Sequence, residues 1–187
     1  DCQLQIKGYE GAKYKSFDTR EEAERALATS PYAYIGKNAK KKSEKVSSET
    51  LPACVIDNSL AVDAACSGNP GPMEYRGVHI ASRQEVFHFG PTKGTNNIGE
   101  FLAIVHGLAL LKQKEFDMPI YSDSVNAISW VRQKKCKTKL PRTAETEELF
   151  KLIERAEKWL RENTYTTRIL KWETKEWGEI PADFGRK

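Results

Sequence analysis

The hydrophobic pattern changes period several times along the chain, and each change predicts an element. Residues 59–66 (SLAVDAAC) are a near-continuous run of apolar and small side chains, the pattern of a buried strand. Residues 75–82 (YRGVHIAS) and 85–90 (EVFHFG) alternate and are separated by little more than Arg83 and Gln84, which predicts a hairpin. Phe101, Ile104, Val105, Leu108 and Leu111 recur at helical spacing and predict a helix over about 97–113. MPIYSD (118–123) then reads as a short strand, and Val125, Ile128 and Val131 begin a second helix. Leu149, Leu152, Ile153, Ala156, Trp159 and Leu160 fall on one stripe of a long amphipathic helix. TTRILKW (166–172) predicts a last strand, and residues 177–187 a short terminal helix or turn. Three antiparallel strands followed by βα units predict a mixed α/β fold around one sheet.

Ahead of this pattern the chain reads differently. GAKYKSF (11–17) predicts a strand, Asp18 and Thr19 offer an N-cap, and Ala23, Ala26 and Leu27 share one helical face, so residues 1–36 read as a small α/β piece. Residues 37–52 are rich in Lys and Ser and poor in apolar side chains, the composition of a linker. Residue 1 is an aspartate in a polar stretch, so no secretory signal is read there, and the expectation is a fragment or a processed form.

Composition narrows the class. With 39% hydrophobic and 30% charged residues among 187, the chain reads as a globular protein. Its longest near-apolar run, FLAIVHGLALL (101–111), is too short to cross a bilayer and is interrupted by His106 and Gly107, so no membrane partner is expected. The cysteines at 2, 54, 66 and 136 show no CxxC and no His at metal-ligand spacing; free thiols in a reducing compartment, and hence a cytoplasmic location, are the expectation. Cys66 reads as a small buried thiol rather than a nucleophile, since no paired His is evident. The net charge of +4 permits a polyanionic partner without demanding one. Five lysines lie between Lys37 and Lys45 against Glu44, and six basic residues with no acid lie between Arg132 and Arg142; each run is either a solvated loop or a phosphate-facing one. His79, His88 and His106 lie on predicted strands or mid-helix, away from the acidic words described next, and read as structural, as do Trp159, Trp172 and Trp177.

Four acids fall in distinctive local words: Asp63 in VDAACSGNPG, Glu100 in TNNIGE, Asp123 in YSDS and Asp183 in WGEIPADFGRK. Each alone has an ordinary explanation. Glu100 suits the first turn of a helix, Asp123 suits an N-cap, and Asp183 suits a surface. Asp63 is the least comfortable, because a carboxylate in the middle of a buried strand needs a cation or a proton. Together, four carboxylates without histidines suit hard divalent cations.

In this order and with these neighbours, the words resemble ribonuclease H of the bacterial type 1 class over residues 57–187. Glu179, four residues before Asp183, fits the branch that carries a Glu at that spacing and lacks a basic protrusion. The resemblance implies a mixed five-stranded sheet flanked by helices, with residues 53–187 as the catalytic domain. It implies hydrolysis of the RNA strand of an RNA–DNA hybrid by two Mg²⁺ ions, with Mn²⁺ as a substitute, leaving 5′-phosphate and 3′-hydroxyl ends. Asp63 would bridge the ions, Asp183 would complete the nucleophile side, Glu100 and Asp123 the leaving-group side, and Glu179 would be an outer ligand. Ser67, Gly68, Asn69, Asn96 and Asn97 would face the minor groove and its 2′-hydroxyls. Thr95, Asn97, Thr138 and Thr174 would hold a DNA-strand phosphate, and Trp130 would pack on DNA sugars or serve as ordinary packing. Val125 departs from the family, where a polar residue often stands, and implies altered groove contacts. The segment 14–27 (YKSFDTREEAERAL) resembles the second half of the small hybrid-binding domain of such enzymes, without its opening aromatic strand and hairpin. A monomer is expected. Two alternatives stay open: another nuclease or junction resolvase of the same fold, and a non-catalytic nucleic-acid-binding module.

Overall fold

The computed structural model describes residues 51–185. The readings made for residues 1–36, and most of the 37–52 stretch, lie outside the described residues. The described residues belong to one compact unit, Thr50–Lys187.

The elements, in order, are β1 (Leu60–Cys66), β2 (Gly71–His79), β3 (Glu85–Gly94), α1 (Asn96–Lys114), β4 (Ile120–Ser122), α2 (Val125–Arg132), α3 (Glu147–Glu162), β5 (Ile169–Lys171) and α4 (Thr174–Trp177). One five-stranded sheet runs β3-β2-β1-β4-β5. β1 and β2 are antiparallel, with Asp63 opposite Arg76, while β4 runs parallel to both β1 and β5. The mixed five-stranded sheet expected from the sequence is therefore present.

The hairpin is longer than its alternating core suggested. β2 starts at Gly71 rather than at 75, and β3 continues through Pro91 to Gly94. Pro91 fits because β3 is an edge strand, where a missing N–H costs no ladder bond. At the other end, the short helix α4 precedes the stretch read as a terminal helix or turn, and within residues 178–185 it is the turn that forms, at 181–182, with no helix or strand.

Strand alternation sorts the core into two layers. Leu60, Val62 and Ala64 of β1, with Met73 and Tyr75 of β2, face α1, α2 and α3, against Phe101, Ile104, Leu108, Val131 and Ile153. The opposite face carries Ala61, Val78, Ile80 and Tyr121, covered by Trp172, Ile180 and Ala182. Asp63 shares its side with Ala61, the face over which the C-terminal segment lies. α1 is buried on most of its circumference, as its apolar run predicts, and it seats on the sheet through glycine. A Cβ on Gly99 would stand 2.7 Å from both the Ala64 Cβ and the Met73 Sδ. Among the described residues, no helix is long and apolar enough to cross a membrane.

Candidate active site

Three elements bring three carboxylates together. Asp63 sits at the middle of β1 and is only 7% exposed. The parallel register pairs Leu60 with Ile120 and Ala61 with Tyr121. Continued by two residues, it sets Asp123, just past the end of β4, level with Asp63. Strand ends of this kind are where α/β sheets open crevices. Glu100 comes from α1 and is 9% exposed. It lies one turn inside the helix rather than in its first turn, because the helix starts at Asn96. Carboxylate oxygens of Asp63, Glu100 and Asp123 all lie within 4.8 Å of one another.

A cleft of about 240 Å³ opens over this cluster, and Cys66, Ser67, Asn96, Asp183 and Phe184 are among the other residues that line it. Asp183 thus faces the same space from outside the tight group of three. Its Oδ2 accepts the Gly185 N–H at 2.7 Å.

The electrostatics follow from burial and crowding. Burial, foremost, and then the neighbouring Asp123 push the Asp63 carboxyl up to about 8; Glu100 and Asp183 add to the rise, and the Ala64 backbone N–H opposes it. Glu100 is pushed up to about 7, again chiefly by burial, with the Ser124 hydroxyl pulling down and Asp123 pushing up. Asn96 Nδ2 also donates to Glu100 Oε1 at 2.8 Å. Buried, mutually repelling carboxylates with an all-oxygen donor set fit a hard divalent cation, which would remove the cost of ionising them together.

The other expected site residues are placed less uniformly. Ser67, Gly68 and Asn69 are exposed in the loop after β1, and Gly68 has φ 111°, a conformation that suits glycine. Thr95 is the N-cap residue of α1 without a side-chain cap bond, and Asn97 is exposed on its first turn. Trp130 is half-buried, edge-on to Phe101 with ring centroids 6.4 Å apart, which is the packing alternative read from the sequence. Thr138 Oγ1 accepts the Leu140 N–H at 3.0 Å, and Thr174 opens α4. Trp130, Thr138 and Thr174 do not line the cleft, nor does Glu179, which is exposed. Val125 is 67% exposed at the start of α2.

Three features were misread or missed in the sequence. Cys66 is only partly buried and lines the cleft; burial pushes its thiol up, and its Sγ bonds the Gly94 carbonyl at 3.5 Å, so it remains a poor nucleophile. The partner of His88, read only as structural, was missed: its Nε2 meets Glu74 Oε2 at 2.9 Å, and its ring lies 6.1 Å from that of Phe184, the neighbour of Asp183. His79 and His106 are structural as expected, the first bonded to Ser82 and the second stacked on Phe87 with ring centroids 4.0 Å apart. Arg76 was passed over altogether. It donates to the backbone carbonyls of Ala182 and Asp183, and only its place across from Asp63 in the hairpin register could have singled it out.

A family profile described as RNase H matches residues 57–172, more than half of the chain. The chain belongs to the RNase H family. A second profile, for the ribonuclease H1 N-terminal domain, matches residues 1–27. Among curated RNase H relatives, the ribonuclease H of Desulforamulus reducens is 37% identical over a 92-residue alignment, covering 41% of this chain and 57% of that protein. That of Sulfurovum sp. is 39% identical over 85 residues, covering 40% of this chain and 56% of its own length. The chain thus spans about half the length of the curated relatives it matches. Two solved RNase H1 structures also align. One, isolated from compost by a metagenomic approach, has a TM-score of 0.43 at 17% identity, covering 64% of this chain and 87% of that one. The other, from the halophilic archaeon Halobacterium salinarum, has a TM-score of 0.40 at 21% identity, covering 64% and 89%. Within this RNase H chain, the acidic cluster is the only such group of three or more potential metal ligands among the described residues.

Proposed function

We propose that this chain hydrolyses the RNA strand of RNA–DNA hybrids, leaving 5′-phosphate and 3′-hydroxyl ends. The observation that carries the reading is the convergence of Asp63, Glu100 and Asp123 within 4.8 Å in a chain of the RNase H family. Two Mg²⁺ ions, replaceable by Mn²⁺, would supply Lewis acidity and an activated water there, held by Asp63, Glu100, Asp123 and Asp183 with Glu179 as an outer ligand. The chain's own groups do the rest. Asn96 and Ser124 hold the Glu100 carboxylate in place. The exposed Ser67–Asn69 loop, with Asn96 and Asn97, offers short polar groups and bare backbone to a minor groove, where the 2′-hydroxyl marks the RNA strand. Thr95, Asn97, Thr138 and Thr174 hold a DNA-strand phosphate in this reading, Trp130 meets the sugars, and the basic run 132–142 supplies a phosphate-attracting field. A cytoplasmic monomer, with residues 1–36 as a partial hybrid-binding segment and 37–52 as its linker, completes the proposal; the profile match at 1–27 supports that N-terminal assignment.

Cleavage of matched RNA–DNA, RNA–RNA and DNA–DNA duplexes, with and without Mg²⁺, tests it. Mg²⁺-dependent cutting confined to the RNA of the hybrid is expected. A hybrid bound but left intact would establish a binding module instead, and cutting of duplex DNA would establish a resolvase-like nuclease.

A further inference from the structure

We infer that Arg76 is a positioning residue for Asp183, an inference that rests on reading the cleft as a metal-dependent phosphodiesterase site. Asp183 lies in the irregular stretch after α4, so no helix or strand ladder fixes its place. The apolar side of this stretch is anchored by buried Ile180 and Ala182, and its start by the Trp172 indole, whose Nε1 donates to the Gly178 carbonyl at 2.9 Å. At the acid itself the Asp183 N–H closes a turn onto the Ile180 carbonyl at 2.8 Å, and Arg76 adds a polar anchor from the sheet. Its Nε donates to the Ala182 carbonyl at 2.8 Å and its Nη2 to the Asp183 carbonyl at 2.6 Å. The guanidinium carbon lies 4.7 Å from the centroid of the Phe184 ring. One side chain therefore holds three successive residues, 182, 183 and 184.

Arg76 comes from β2, directly opposite Asp63 of β1, so the two side chains share one sheet face. The same rung of the sheet thus carries one buried acid of the cluster and the anchor of the acid that faces it across the cleft. Glu85 Oε2 stands 3.4 Å from Nη1 and helps orient the guanidinium. Arg76 does not line the cleft, so its influence on the reaction passes through Asp183. The flat fork of an arginine suits this arrangement: its donors point to two carbonyls at once while its face covers a ring, which a lysine ammonium cannot reproduce.

The test uses Arg76→Gln and Arg76→Lys, each alone and combined with Asp183→Asn, in the full chain. kcat and KM are measured on a hybrid duplex, and Mn²⁺ binding is followed by water-proton relaxation. Arg76→Gln is expected to lower kcat at least about tenfold, since ångström-scale misplacement of a reacting group is costly. KM should stay within about twofold, because the side chain is outside the cleft. Mn²⁺ binding should weaken in parallel, and Arg76→Lys should fall between Gln and wild type. In the Asp183→Asn background, Arg76→Gln should alter Mn²⁺ binding by less than about twofold, the non-additivity of residues acting through one contact. Should Arg76→Gln not fold, Arg76→Lys carries the same comparison. Unchanged kcat and Mn²⁺ binding in a folded variant would overturn the inference. So would an equal loss with and without the Asp183 carboxylate. A wild type that cuts no hybrid, but whose Mn²⁺ binding weakens on Arg76 substitution, would support the positioning role while refuting the proposed reaction.

Discussion

Asn96 and Glu100 are joined across one turn of α1 by an Nδ2–H···Oε1 bond of 2.8 Å. An amide aimed at a carboxylate favours its ionised form, so Asn96 acts on the acid as well as facing the cleft. Asn96→Ala should therefore move the acidic limb of the kcat–pH profile to higher pH, on the order of half a unit for one lost hydrogen bond. A rise in KM with an unmoved acidic limb would confine Asn96 to substrate contact.

The two raised carboxyls make the metal-free fold sensitive to base. Asp63 goes from an ordinary 3.8 to about 8 and Glu100 from 4.5 to about 7, so the folded state holds these protons more tightly than the unfolded state does. Their contribution favours the fold fully below the ordinary carboxylate range and is lost as pH rises through the folded values. In chelator, thermal unfolding should come at lower temperature at about pH 8.5 than at about pH 5, with saturating Mg²⁺ narrowing the gap by binding the ionised forms. Equal Mg²⁺ stabilisation at both pH values would contradict this.

Asp123→Asn should separate binding from chemistry. Loss of one charged ligand from a multi-carboxylate site should lower kcat by about a thousandfold or more while leaving the hybrid dissociation constant nearly unchanged. It also removes a charge that raises both Asp63 and Glu100, so the base sensitivity of the metal-free protein should shrink. Paired cleavage and unfolding measurements check both parts, and near-wild-type turnover would remove Asp123 from the site.

Glu157 ties the basic loop to α3. It is 4% exposed, accepts the Cys136 backbone N–H at 3.0 Å, and meets the Lys135 ammonium at 2.9 Å. Glu157→Ala strands a buried donor and should cost about 1–3 kcal/mol of stability. The loop carrying Lys134, Lys137 and Lys139 loses its tether, so KM for hybrid should rise and become more dependent on salt. Denaturant titration and salt-dependent kinetics read the two effects.

Much of this was legible in the sequence, for identifiable reasons. β1 announces itself as a near-continuous apolar run, α1 through apolar residues at helical spacing, and the hairpin through alternation. The acids stood out because a carboxylate such as Asp63 in an apolar strand has no cheap local explanation. What escaped depended on long-range pairing without periodicity. Arg76 meets Asp183 across 107 positions, and His88 meets Glu74 across 14, through side chains that look like ordinary surface charges on alternating strands. The ends of β2 and β3 escaped because Gly71, Pro91 and Gly94 read locally as turn residues, and only pairing at the sheet edge makes them strand. α4 escaped because four residues are too few to show a repeating pattern, and the turn stretch that follows it is pinned by Trp172 and Arg76.

The close seat of Gly99 on Ala64 and Met73 has a consequence for the acidic cluster. Gly99 immediately precedes Glu100, and the bare contact of helix on sheet sets how near that acid's backbone comes to the strand bearing Asp63. The span offered to a cation is thereby governed by packing behind the site as well as by the ligands in it. A methyl group at Gly99, on the hidden side of α1, would therefore alter the spacing between Glu100 and Asp63 without touching either acid.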